Sequence, residues 1–284
     1  MLFRSVSVNC ERKLVANLPT FNKYKALRQF AAPLPGKITN PMIEFENTAI
    51  VIIARMTAQP LPGRPMVDVG GRPLVLRAVE NAGKANLGKV FVATPDNVVA
   101  EAARAGGADA LMSPAQAKAD ADMAEAILAL RDKTQQFQNV LIIPCQLAII
   151  EDLALRLCLS ALLNKGVDVA TLACPIESAK ARQVLVEAPL QGERDVAYLR
   201  ALSQTTEANA STPALLHVPI YAWSRASLSV FAAHKPSPSE SMPGLELARA
   251  LEAGQKCAVV KVDNAPLSVD TPQDLEALRR HWKA

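Results

Sequence analysis

Apolar positions along the chain recur with two periods in alternation. Residues 49–54 form a short, unbroken apolar run rich in Ile and Val, the pattern of a strand covered on both faces. Residues 73–82 set Val75, Val79 and Ala82 on one helical face, and 90–94 read as a second strand. A helix over 97–105, a short strand over 108–112, a helix over 119–130 with Met123, Ile127 and Leu130 turned inward, and a buried strand over 140–143 continue the alternation. The next helix, 151–164, opens on Glu151 and Asp152, which complement its dipole, and stops at Gly166. Strands over 167–174, 215–222 and 257–262 and helices near 224–233 and 244–253 follow, while 175–213 reads as a less regular, polar excursion. Thr271 caps the last helix, with Pro272 at N1, Asp274 at N3, and Leu275 and Leu278 facing the core.

This order predicts an α/β fold: a Rossmann-like, mainly parallel sheet flanked by helices, joined by right-handed crossovers, with ligands at the carboxyl ends of the strands. The chain has 284 residues, 50% of them hydrophobic and only 4% aromatic, enough for one sizeable core of the helix-on-sheet kind. Five widely spaced cysteines (Cys10, Cys145, Cys158, Cys174, Cys257) read as reduced thiols, and three scattered histidines argue against a histidine metal cage. A carboxylate site for a hard cation stays open. No apolar run approaches the ~18 residues of a membrane span, so a cytoplasmic location is expected.

Charge divides the chain. Residues 1–41 hold seven Lys/Arg and one acid, whereas 42–284 hold 24 basic and 26 acidic residues. The body is therefore not basic, and a nucleic-acid partner is not expected. The first 41 residues lack sustained periodicity and read as a poorly ordered basic N-terminal extension, with 42–284 as the α/β domain. Met42 leads straight into the first strand and resembles a start codon, with an organelle leader as the alternative for 1–41.

Two segments go beyond the generic pattern. After the first strand comes ARMTAQPLPGRP (54–65), then VDVGGRP (67–73); near the end comes PLSVDTPQDLE (266–276). A loop with glycine at the carboxyl edge of a sheet brings backbone N–H groups close to phosphates, and Arg55 and Arg64 add charge. Asp270, just before a capped helix, is placed to hold a metal ion. Taken singly, LPGRP is also a rigid turn and Asp270 also helix-start chemistry. Together, in order and spacing over 48–284, these runs resemble the 3-deoxy-manno-octulosonate cytidylyltransferases (CMP-Kdo synthetases), with their A-R-x-x-S-x-R-L-P-G-K-P-L loop and V-D-T-P-x-D-L-E ending. Supporting runs are VAT (92–94), HVPIYAW (217–223) and KPSPSE (235–240).

The resemblance implies a fold of the nucleotide-diphospho-sugar transferase type and an enzyme joining CMP from CTP to Kdo or a related sugar acid for lipopolysaccharide biosynthesis. It implies that Arg55, Arg64 and Asp270 are catalytic. Ala54, Arg55, Leu61, Pro62, Gly63, Arg64 and Gln146 would bind the nucleotide, Arg200, His217 and Tyr221 the sugar acid, and Asp270 a Mg²⁺ ion; a homodimer is also implied. Departures from the family fall on the chemistry. Pro60 stands for the second loop arginine and Ala58 for the serine. Gln146 stands for a metal-binding aspartate, which weakens the Mg²⁺ site, since an amide ligates without charge. Asp122 falls where the family has an arginine, and Lys118, Glu125 and Asp96 are available to fill vacated roles. These losses leave a second reading open: a catalytically impaired paralogue that keeps the fold as a nucleotide-binding, regulatory or scaffolding protein.

Overall fold

The computed structural model describes residues 47–113, 133–164, 166–175, 183–187, 196–199, 201–205, 215–235 and 246–283. The expectations for the extension 1–41, the helix over 119–130 and Arg200 lie outside them, as do Lys118, Asp122 and Glu125. In chain order the elements are β1 (Thr48–Ile53), a 3₁₀ turn (Arg64–Met66), β2 (Asp68–Val69), β3 (Arg72–Pro73), α1 (Leu74–Lys84), β4 (Lys89–Thr94), α2 (Asn97–Ala105), β5 (Asp109–Met112), β6 (Asn139–Pro144), β7 (Leu147–Ile149), α3 (Asp152–Leu162) and β8 (Val169–Pro175). Then come β9 (Gln183–Glu187), β10 (Val196–Tyr198), β11 (Ala201–Thr205), β12 (Leu215–Ser224), α4 (Arg225–Ala233), α5 (Leu247–Glu252), β13 (Cys257–Lys261), β14 (Leu267–Ser268) and α6 (Pro272–Lys283).

The main sheet runs β10-β13-β8-β12-β6-β1-β4-β5, with β9 beside β12 and β11 beside β9. β1 and β6 are buried at every position. Their side chains divide by parity, as strand geometry requires. Ile50 and Ile52 join the layer of α1, α2, α3 and α6, while Ala49, Val51 and Ile53 join that of α4 and α5. Each fully buried Ile or Leu in these layers contributes about 1.5–3 kcal/mol. β4, β1 and β6 pair in parallel, as do β5 with β4 and β13 with β8.

The α/β, mainly parallel architecture is as expected, with two differences. β12 runs antiparallel to both β6 and β8. The stretch 175–213 was read as irregular but contains β9, β10 and β11, of which β9 pairs antiparallel with β11 and with β12, and β10 with β13. QVLVE and ALSQT are short and half polar, so they lack the unbroken apolar run that marks the central strands. β12 also continues to Ser224 past an irregularity between Val218 and Tyr221, where Pro219 cannot donate to the ladder.

Two small ladders shape the carboxyl edge. β2 and β3 form a hairpin around Gly70 and Gly71, both at positive φ, the requirement of a type I′ turn. β7 pairs antiparallel with β14. After β14, Thr271 and Asp274 cap α6 reciprocally: Asp274 N donates to Thr271 Oγ1 at 3.2 Å, and Thr271 N to Asp274 Oδ2 at 2.9 Å.

Gly88 enters β4 at φ 154°, where an added Cβ would overlap the Thr48 carbonyl of β1. Gly88→Ala is expected to lower stability by about 1–3 kcal/mol, read as a lower urea midpoint. An unchanged midpoint would show that this strand entry can shift freely.

Candidate functional site

Strand order decides which loops meet. β4, β1 and β6 are neighbours and parallel, so the chain leaves all three at one edge. Ala54 N donates to Ala93 O at 3.0 Å and Cys145 N to Ile53 O at 2.9 Å, tying the bases of two of these loops. The loop after β1 then closes on itself: Gly63 N donates to Met56 O at 2.7 Å and Arg64 N to Leu61 O at 3.2 Å. Gly63 does so at φ 77°, a left-handed conformation that favours glycine. Met56 N donates to Asp96 Oδ2, at 2.8 Å, across from the loop after β4. Pro62 is exposed at the tip and Leu61 and Gly63 are half-buried, whereas Ala54, Arg55 and Arg64 are buried. The Gly63 N–H is spent inside the loop, where it helps to set the loop's shape.

The other limb arrives from the far end of the chain. Through the β7–β14 ladder, Val269 N donates to Gln146 O at 2.9 Å, which sets Gln146 beside the strand leading to Asp270. Arg64 Nη1 donates to Asp270 Oδ1 at 3.0 Å and to Val269 O at 3.2 Å. The other carboxylate oxygen, Asp270 Oδ2, accepts from Ser268 Oγ at 2.5 Å. The Arg64 side chain is 7% exposed and that of Asp270 47%, so the carboxylate opens to solvent while the guanidinium is walled in. Asp274 accepts from Asp270 N, Thr271 N and Thr271 Oγ1, which commits it to the helix cap. Cys145 lies near Arg64; burial pushes its thiol up to about 12 against the pull of that cation, so it is a neutral wall group and not a nucleophile.

Loop residues 54–64, Gln146 and Asp270 are thus brought together. His217 and Tyr221 lie on β12. Tyr221 lies in the layer of α4 and α5, and its hydroxyl donates to Glu246 Oε2 at 3.0 Å. Burial and the neighbouring Glu246 charge push the Tyr221 phenol well above its usual range. The rings of His217 and Tyr221 are 5.6 Å apart. Thr171 Oγ1 donates to Ile220 O at 2.9 Å and lies 2.9 Å from His217 Nε2. Thr171 Oγ1 and His217 Nε2 thus share a buried hydrogen bond. Burial lowers the His217 pKa to about 4, and the imidazole is neutral at pH 7. Both side chains were read as sugar-acid ligands; in this structure each is buried and hydrogen-bonded to the protein. Thr171 and Glu246 were not singled out from sequence, because each bonds a residue distant along the chain, His217 and Tyr221 respectively; Ser268, also not singled out, lies beside Asp270 in sequence and bonds it directly.

Among the described residues, no group of three or more His, Cys, Asp or Glu could hold a metal ion, and no helix is long and apolar enough to cross a membrane.

Residues 49–258 match the Cytidylyltransferase family model. A 3-deoxy-manno-octulosonate cytidylyltransferase of Mesorhizobium japonicum is 37% identical over 240 residues, covering 82% of this chain and 98% of the relative. One of Rhodopseudomonas palustris is also 37% identical, over 82% of this chain and 97% of its own length. A solved CMP:2-keto-3-deoxy-manno-octonic acid synthetase, complexed with CTP, superposes with a TM-score of 0.72 at 26% identity, covering 83% of this chain and 98% of that chain. A 4-diphosphocytidyl-2C-methyl-D-erythritol synthase of Anaerococcus prevotii, 11% identical with a TM-score of 0.55 over 84% of this chain and all of its own, shares the fold alone.

The His217 environment sets a pH dependence. Its pKa is about 4 in the fold against 6.5 as the ordinary value, so between these limits the unfolded chain binds more protons. Stability therefore rises with pH across that window and levels off above it, with about 3 kcal/mol at stake. The gap in urea midpoint between about pH 5 and about pH 7.5 is expected to shrink in His217→Gln. An equal gap in both proteins would refute the assignment.

Proposed function

We propose a substrate pair for this chain, which belongs to the cytidylyltransferase family: it joins CMP from CTP to 3-deoxy-manno-octulosonate or a related sugar acid, supplying lipopolysaccharide assembly. The relatives at 37% identity, almost fully covered, support the sugar acid. The observation that carries the reading is the meeting of Arg64 and Asp270 at 3.0 Å on the carboxyl edge, where an α/β sheet binds its ligand.

The sugar-acid hydroxyl attacks the α-phosphorus of CTP, a P–O bond forms, the bond to pyrophosphate breaks, and the hydroxyl proton leaves to solvent. Negative charge moves onto pyrophosphate as that bond opens. Arg55 and Arg64, held with little exposure, supply fixed positive charge there, and a preorganised cation in a partly dry site is worth more than one in water. Met56 and Gly63 hold the loop neck closed, so the backbone that carries the two arginines is set before binding. The chain's donor set fits one magnesium ion: Asp270 is a half-exposed carboxylate with Gln146 beside it, and such an ion is commonly bound by one or two carboxylates together with substrate phosphates. When bound it neutralises triphosphate charge. Pro60, Ala58 and Gln146 bring no charge, so the burden falls on Arg55, Arg64 and Asp270. The reading carries a cytoplasmic site of action and a homodimeric assembly with it.

The test is pyrophosphate release from CTP, 3-deoxy-manno-octulosonate and Mg²⁺ by the purified protein. Asp270→Ala is expected to lower the rate by about 10²–10³. Gln146→Asp is expected to lower the Mg²⁺ concentration needed for half-maximal rate. Absence of release together with no rise in melting temperature on adding CTP would overturn the reading.

A further inference from the structure

We propose that Asp96 is a positioning residue for the triphosphate-binding loop, and this rests on the nucleotide-binding reading of that loop. Asp96 stands at the N-cap of α2, where an aspartate side chain ordinarily accepts from the first turn of its own helix. Its side chain makes no such bond. The first turn is served by the backbone instead, with Val99 N and Ala100 N donating to Asp96 O at 3.1 and 3.0 Å. The carboxylate reaches 40 residues back along the chain to accept from Met56 N at 2.8 Å.

Both ends of this contact are anchored. Asp96 N donates to Thr94 Oγ1 at 3.1 Å, and Thr94 is fully buried at the end of β4. On the other side, Met56 O accepts from Gly63 N at 2.7 Å. The backbone N–H and C=O of Met56 are therefore both gripped, one by Asp96 and one by Gly63. Arg55 precedes this closure and Arg64 follows it, so Asp96 fixes the spacing of the two cationic side chains that meet the triphosphate.

Charge alone predicts the opposite effect. A carboxylate close to a triphosphate repels it, so an Asp96 acting only through its field weakens CTP binding, and removing it tightens binding. A positioning Asp96 favours binding through its acceptor oxygen, by sparing the loop an ordering cost. Asn keeps the oxygen and drops the charge; Ala drops both.

Calorimetric titration of CTP into the wild-type protein, Asp96→Asn and Asp96→Ala separates these cases. The expected result is a dissociation constant raised about tenfold in Asp96→Ala and equal to or below wild type in Asp96→Asn. In turnover, Asp96→Ala should raise KM for CTP and leave KM for the sugar acid unchanged. Asp96→Ala binding CTP as tightly as Asp96→Asn would overturn the proposal. Amide hydrogen exchange at Met56 gives a readout that needs no nucleotide: slow in the wild type, and about tenfold faster in Asp96→Ala. Equal exchange in the two proteins would overturn the positioning role. Failure of the wild type to bind CTP, with Met56 exchange still dependent on Asp96, would instead remove the nucleotide reading and leave the loop contact standing.

Discussion

β1 and β6 are buried on both faces along their whole length, and this confines the chemistry of the molecule to one edge of the sheet. Side chains from the middle of such strands meet only other apolar groups, so polar work is left to the chain beyond the last ladder position. The parallel order of β4, β1 and β6 then aligns three such exits, and the loops carrying Asp96, residues 54–64 and Gln146 become neighbours. The remaining limb, Asp270, is brought in by the short β7–β14 ladder.

Within that edge the Arg64 to Asp270 pair is poorly suited to hold the fold together. One partner is largely open to water, and pairs with an exposed member contribute about 0–1 kcal/mol. Its use lies in the charges themselves. A triphosphate offers Arg64 a more highly charged acceptor than one carboxylate, and a cation offers Asp270 a stronger partner than one guanidinium N–H. The pair holds both groups ready at small cost when the ligand arrives.

How much of this was legible in the sequence follows from how local each feature is. The unbroken run at 49–54, the helices around 74–84 and 97–105, and the Thr271–Asp274 cap are written within a few residues, and the structure has them close to the expected places. β12 gave no sign of its antiparallel direction, because direction depends on the path of the intervening chain. β9 and β11 were obscured because QVLVE and ALSQT lack a long apolar run, and they pair with strands elsewhere in the chain. The site was legible in the same graded way. Arg55, Gly63 and Arg64 share one loop, and Asp270 was picked out by what surrounds it. The contacts of Met56 with Asp96 and of Val269 with Gln146 join segments remote in sequence, and no local pattern encodes them.

The departures from the family loop acquire a physical meaning in this frame. Closure of residues 54–64 rests on backbone groups, from Gly63 to Met56 and from Arg64 to Leu61, together with one carboxylate reached from Asp96. None of these bonds uses the side chains at 58 or 60. Pro60 therefore removes a charge, and Ala58 a hydroxyl, without removing what shapes the loop. At Gln146, likewise, the bond that brings in Val269 uses the backbone carbonyl, so exchanging a carboxylate for an amide leaves the ladder intact. Shape and charge are carried by different atoms at this edge, which is how a chain can keep the site's geometry while the number of charges inside it falls.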